Sequence, residues 1–485
     1  MTFVSDLEPS LVWRHFDQIL TIPRGSKKED RARDYVVEVG KRCGLLPKVD
    51  RAGNVLIRKP PTTDPAAKDT VILQCHLDIV NEKNSDVRHD FDRDPIRPIR
   101  AEGYLTADGT TLGADNGIGI AMCLAILEEA DLGHGPLECL FTVDEETGLT
   151  GAGALEPDWL SGRFLINLDS EEEGIVYIGC AGGSGQNLAL PVTRQSVPAS
   201  GWTGLHLQVS GLKGGHSGTD IQLQRANAIQ IAARLLHRAS QQQGFALAAL
   251  QGGNMRNAIP REAQADLAVE IGRVQALETA LEEAFVRVRT QFRPAEPDME
   301  LVLKRVATPT SALTSDSAER VIRLLHGLPN GVIAMSYDIP DLVETSTNLA
   351  TAELDEELCR IHLSSRSSSE IALQELQLRI SAVAKLAGCD VETVEGYPGW
   401  QPDLKSPLLA RVRETFQRVS GSEPSVKAIH AGLECGIIKQ KYPELDMVSI
   451  GPQIEFPHSP DERVQIDSVG RVYELVKELL RVLAG

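Results

Sequence analysis

Four short apolar runs in this chain end in the same way. Val71 to Cys75 leads into His76-Leu77-Asp78, and Leu137 to Val143 into Asp144-Glu145-Glu146. Phe164 to Leu168 leads into Asp169, and Met447 to Ile450 into a loop carrying Glu455 and His458. A brief unbroken apolar run, rather than an alternating one, predicts a strand buried on both faces. The stretch from Gly117 to Ala130 fits a crossover helix between the first two strands, since parallel strands need such a connection. In open α/β sheets the loops after the strands converge on one crevice. The pattern therefore gathers carboxylates and imidazoles along one sheet edge.

Elsewhere the periodicity changes. Ser26-Lys27-Lys28-Glu29 has the form of a capping box and predicts a helix through Lys41, stopped by Gly44. Asn54 to Arg58 predicts a strand ended by Pro60-Pro61. The glycine cluster from Gly179 to Gly185 reads as a hinge or linker. Beyond it, expected strands at 205–209, 263–271, 345–354 and 358–364 are interspersed with amphipathic helices over 226–239, 276–292, 317–325 and 370–386. Gly396 to Trp400 reads as a return linker. The expected architecture is one α/β domain in two parts, residues 1–184 and 398–485, with residues 185–397 inserted.

Composition narrows the function. The 485 residues are 42% hydrophobic, ample for a core, with no short-period repeat or low-complexity tract. With 68 acidic against 49 basic residues the net charge is −19, and no long Lys/Arg run interrupts it. Such a field repels phosphate, which argues against nucleic acid and anionic membranes as partners and suits a cationic ligand. The eight cysteines lie singly, with no CxxC, against a disulfide framework or a zinc ribbon and in favour of buried thiols in a reducing compartment. The longest apolar run, Ile118 to Leu127, is too short to span a bilayer, and the opening residues lack a signal-peptide pattern. The expected location is cytoplasmic.

The candidate chemistry rests on His76, Asp78, Asp115, Glu145, Glu146, Asp169 and His458. A catalytic zinc takes imidazole and carboxylate ligands and keeps one position open. Two ions about 3.5–4 Å apart can share a carboxylate and a water. Five of these residues suffice for such a pair if Asp115 bridges and each ion takes one His and one further carboxylate. Spacing leaves open which His goes with which carboxylate. Asp78, two residues past His76, can reach back and fix its tautomer. Of the adjacent Glu145 and Glu146, one can ligate while the other acts as a general base. Each residue alone has an ordinary explanation. An acid after a strand is a cap or loop residue, Asp115-Asn116-Gly117 is a turn at a helix start, and His458 sits in a proline-flanked loop. Their coincidence at one edge favours the metal reading.

Read in order, His76-Leu77-Asp78, Gly113-Ala114-Asp115-Asn116-Gly117, Asp144-Glu145-Glu146-Thr147-Gly148, Asn167-Leu168-Asp169 and Pro457-His458-Ser459 resemble the signature of the aminoacylase/carboxypeptidase-like family of co-catalytic zinc peptidases. The resemblance runs over nearly the whole chain and includes Gly214-Gly215-His216-Ser217-Gly218. It implies a mixed-sheet catalytic domain with an inserted α+β lid, and two zinc ions per subunit, for which Mn²⁺ or Co²⁺ can substitute. His76, Asp115 and Asp169 would hold one ion, and His458, Asp115 and Glu146 the other. Asp78 would orient His76, Glu145 would be the general base, and the Asp115–Asn116 peptide would be cis. His216 would stabilise the tetrahedral oxyanion. Asn257 and Arg366 would bind the substrate carboxylate, and Gly432 and Glu434 would contact substrate. Within the family, the insert and the segment Asn254 to Pro260 resemble the branch of dipeptidases that acts on aminoacyl-histidine substrates. The implied activity is hydrolysis of unblocked dipeptides, Xaa-His dipeptides such as carnosine among them, by a homodimer. The alternatives are an N-acyl amino acid deacylase, a tripeptidase, or a catalytically silent metal-binding relative. A serine hydrolase is disfavoured, because no G-x-S-x-G elbow occurs.

Overall fold

The computed structural model describes residues 3–62 and 69–485. The chain divides into two compact units. One comprises residues 1–180, 400–428 and 433–485, the other 181–399 and 429–432.

The first unit is built on an eight-stranded sheet. Its order is Lys48–Val49, Val55–Lys59, Leu137–Thr142, Val71–His76, Phe164–Asn167, Asp446–Ser449, Ile175–Cys180, Ser425–Ile429. The four middle strands run parallel. Val71 pairs with Leu137 on one side and Phe164 on the other, and Phe164 pairs in turn with Asp446. The flanking pairs that reach Val55–Lys59 and Ile175–Cys180 are antiparallel, so the sheet is mixed. All residues of Val71–His76 and Leu137–Thr142 are buried, as their mainly apolar character requires. The crossover helix Ala114–Glu128 is buried from Ala114 through Leu127. It packs on the strand Val71–His76 and is covered by Ser10–Ile19, Asp30–Arg42 and Ile466–Leu483. A helix covered all round has no use for a polar face, which is why Ile118 to Leu127 carries none.

Two local expectations are corrected. Ser26 does not cap the helix Asp30–Arg42, whose N-cap Glu29 makes no side-chain cap bond. The Ser26 hydroxyl donates instead to Asp78 Oδ2 (2.8 Å), and Glu29 Oε1 accepts from Lys27 N (2.8 Å) and Asp144 N (3.0 Å). A buried carboxylate from a distant strand outcompetes the local cap. The glycine cluster does carry the chain from one unit to the other, at 180–181, but as strand rather than as a loop. Gly182 and Gly183 open the strand Gly182–Pro191. Glycine is required there by close approach, since a Cβ on Gly182 would lie 2.5 Å from Gly399 N and one on Gly183 2.8 Å from the Tyr397 ring.

The second unit is an antiparallel sheet of nine strands, with Val343–Leu354 and Leu358–Ser367 near its middle. Helices Ala228–Ser240, Val274–Phe292, Ser315–Gly327 and Glu370–Leu386 supply apolar faces to one core with Leu205, Leu207, Leu267 and Leu363.

Candidate metal centre

Four strand ends and one helix start meet in the first unit. His76 closes its strand with Nε2 3.1 Å from Asp115 Oδ1 and 3.1 Å from Asp169 Oδ1. His458 Nε2 lies 3.1 Å from Asp115 Oδ2 and 3.0 Å from Glu146 Oε2. Asp115 thus turns one oxygen to each imidazole. Its backbone and that of Asn116 leave helical geometry inside the helix Ala114–Glu128, and the peptide between them is cis. Ligand atoms of His76, Asp115 and Asp169 lie within 4.8 Å of one another, as do those of Asp115, Glu146 and His458, and those of His76, Glu145 and Glu146. These are two three-residue donor sets sharing one aspartate, with Glu145 beside both.

The surroundings hold these groups in place. Asp78, fully buried, lies 3.3 Å from His76 Nδ1 through Oδ1. Asp78 also accepts the backbone N–H of Glu145 (3.0 Å) and of Glu146 (3.2 Å). Burial alone would raise its carboxyl, but His76 and these donors outweigh it and bring it down to about 2. Asn116 Nδ2 donates to Leu168 O (2.8 Å) and Asp169 Oδ1 (2.5 Å). Glu434 is buried beneath the site, where its Oε2 accepts from Thr142 Oγ1 (2.6 Å) and Gln74 Nε2 (2.7 Å).

Two residues of this framework escaped sequence reasoning. Buried Arg24 donates to Leu77 O (3.0 Å), Asp78 O (2.8 Å) and Gly113 O (2.5 Å). Glu462, also buried, accepts backbone N–H groups from the loop that delivers Asp115. The only available signal for Glu462 was its place four residues after His458.

The donor set fits divalent cations. Burial pushes the carboxyls of Asp169 to about 6, Glu434 to about 7 and Glu171 to about 8, each with help from neighbouring carboxylates. Burial likewise holds Glu145 well above the usual carboxylate range, and Glu146 Oε1 is buried without a hydrogen-bond partner. Ionising these crowded carboxyls together calls for compensating positive charge, which cations at the two donor sets would supply.

In the second unit, His216 Nδ1 accepts from Gly218 N (3.3 Å) and Thr219 N (3.2 Å). An Nδ1 that accepts leaves the proton on Nε2. Burial and the Arg366 guanidinium lower its basicity. Arg366 is buried, donates through Nη1 to Tyr397 (2.6 Å), and keeps a buried Nε without a partner. A Cβ on Gly218 would come within 3.0 Å of His216 and 3.2 Å of Arg366, so these two side chains converge there. Asn257 is exposed and its carbonyl accepts Ser217 N (2.8 Å). Gly432 packs against Tyr397, leaving no room for a side chain.

Comparison with known proteins points the same way. The chain is 43% identical over 481 residues to the cytosol non-specific dipeptidase of Escherichia coli (strain K12), covering 99% of each. The crystal structure of aminoacylhistidine dipeptidase from Vibrio alginolyticus matches with a TM-score of 0.93 at 41% identity, over 99% of this chain and 98% of that one. An aminopeptidase structure from Bacillus cereus matches over 99% of this chain and 100% of that one with a TM-score of 0.58 at 16% identity, a likeness of fold. The sequence model of Peptidase family M20/M25/M40 matches residues 72–482, and the chain belongs to that family.

Proposed function

We propose that this protein is a metal-dependent dipeptidase that hydrolyses unblocked dipeptides, Xaa-His dipeptides such as carnosine among them. The observation that carries the reading is the pair of donor sets sharing Asp115, with Glu145 alongside, in a chain 43% identical along its whole length to a dipeptidase. His76, Asp115 and Asp169 would hold one zinc ion and His458, Asp115 and Glu146 the other. When bound, divalent cations supply Lewis acidity toward the scissile carbonyl and acidify water.

The residues do the rest. Glu145 takes the proton of the attacking water and returns it to the leaving amine. Asp78 keeps His76 in one orientation and, through its bonds to the N–H groups of Glu145 and Glu146, ties base and ligand to the same anchor. His216 offers Nε2–H to the oxyanion as charge develops. Arg366 and Asn257 receive the substrate's carboxylate end, since arginine suits a carboxylate through paired N–H donors, and Gly432 belongs to the loop that contacts substrate. Glu434, fully buried with one oxygen held by Thr142 and Gln74, supports the site from beneath rather than reaching the substrate itself.

The test is a panel of dipeptides assayed with metal-depleted and metal-restored protein. Expected is hydrolysis of free dipeptides that disappears on depletion and returns with zinc. Turnover of N-acetylated amino acids or tripeptides in place of dipeptides, or activity indifferent to depletion, overturns the reading. A cytoplasmic location and a homodimer belong to the same proposal. No helix among the described residues is long and apolar enough to cross a membrane. Sedimentation of the purified chain tests the dimer.

A further inference from the structure

One carboxylate in the first unit receives four successive backbone N–H groups. Glu462 Oε2 accepts from Leu112 N and Gly113 N, each at 2.8 Å, and Oε1 accepts from Ala114 N (2.8 Å) and Asp115 N (3.2 Å). These donors lie at the start of the helix Ala114–Glu128, where unpaired N–H groups and the helix dipole favour an anion. The anion here is supplied by the chain itself. From the other side, Arg24 donates to the carbonyl of Gly113, whose φ is +72°. The loop is therefore held by its N–H groups and by a carbonyl at once.

Glu462 is itself anchored. Its carbonyl accepts from Thr106 Oγ1 (2.8 Å), and the following strand Arg463–Gln465 pairs with Tyr104–Ala107. His458 lies in the same loop, four residues earlier. One short segment thus presents an imidazole 3.1 Å from Asp115 Oδ2 and grips the Asp115 backbone with a carboxylate.

We propose that Glu462 is a positioning residue for the metal centre: by binding the N–H groups of residues 112–115, it sets the placement of Asp115 relative to His458 and so pre-forms the shared-aspartate site. The inference rests on the dipeptidase reading. Glutamine at this position keeps the shape but has one acceptor oxygen, and it turns an NH₂ group toward N–H donors. Four acceptor contacts cannot survive that change.

The test is Glu462→Gln, with Glu462→Asp as the second variant in case the first does not fold. Apo protein is compared with wild type by circular dichroism and thermal melting. Co²⁺ affinity is measured by competition with a chromogenic chelator, and the visible spectrum of the Co²⁺-loaded protein is recorded. Expected is a variant that folds but binds Co²⁺ about 10–100-fold more weakly, with shifted absorption bands. Wild-type affinity with a wild-type cobalt spectrum in a folded variant overturns the inference and leaves the dipeptidase reading untouched. Failure of both variants to fold makes Glu462 a strut of the fold only and also overturns it. A wild-type chain that binds no Co²⁺ sinks the dipeptidase reading and this inference with it.

Discussion

Glu145→Gln isolates proton transfer from everything else at the site. The substitution is isosteric, and the Glu145 carboxylate accepts no hydrogen bond among the described residues. The contact that fixes this position, Glu145 N–H to Asp78 Oδ1 at 3.0 Å, belongs to the backbone and survives. Neither donor set built on Asp115 loses a member, because those sets use His76, Asp169, Glu146 and His458. Removing a charge that burial disfavours leaves the apo fold as stable as before or more so. What disappears is the base. A positioned general base contributes about 10²–10⁴-fold, or about 2.7–5.5 kcal/mol at 1.36 kcal/mol per tenfold. Because that contribution is made in the transition state, kcat and kcat/KM should fall together while KM holds. Steady-state kinetics on a free dipeptide, with metal content by mass spectrometry and melting of the apo protein, reads all three. Activity within fivefold of wild type refutes the assignment, and so does a fall in bound metal that accounts for the lost rate.

Asp115→Ala should strip both cations, since its two oxygens face His76 and His458 separately; two ions retained on equilibrium dialysis would show that it is no bridge. Gly119→Ala places a Cβ 2.0 Å from Asn116 Oδ1 and 3.0 Å from Leu168 O. It should cost about 1–3 kcal/mol in chemical denaturation and weaken metal binding by disturbing Asp169. Wild-type values for both would refute that coupling. His15 gives a pH signature away from the site. Burial, aided by Arg14 and Arg42 and opposed by Glu128, lowers its imidazole to about 4 from 6.5. The folded state keeps it neutral, so its contribution is complete above pH 6.5. Acidification from 6.5 toward 4 removes about 3 kcal/mol, as the unfolded chain takes the proton first. His15→Asn should flatten the stability profile across that window, and a profile as steep as that of wild type would contradict the assignment.

The parts of the fold visible in sequence are those where one face or both faces of an element are buried. Val71–His76 and Leu137–Thr142 are mainly apolar and buried along their whole length because both faces are covered. Glu370–Leu386 buries a row at Leu373, Leu376, Ile380 and Ala384, whose spacing defines the helix. The gathering of His76, Glu146, Asp169 and His458 followed from strand ends, and Asp115 joins them from a helix start. The pairing of imidazoles with carboxylates did not, because spacing carries no angle. Residues that bind backbone stayed hidden for a related reason. Arg24 and Glu462 satisfy carbonyls and N–H groups that every residue possesses, so no partner residue type betrays them. Ser26 and Gly182 misled because serine caps helices and also feeds buried carboxylates, and glycine bends chains and also admits close neighbours.

The strand Asp446–Ser449 lies between Phe164–Asn167 and Ile175–Cys180, although the residues of the second unit separate it from both in the chain. A ribosome must translate that whole span before the gap can close, on the order of tens of seconds at about 5–20 residues per second. Until then Phe164–Asn167 and Ile175–Cys180 lack the strand that stands between them in the finished sheet. His458 is made later still, so a chain cut short before it would lack one of the two imidazoles that face Asp115.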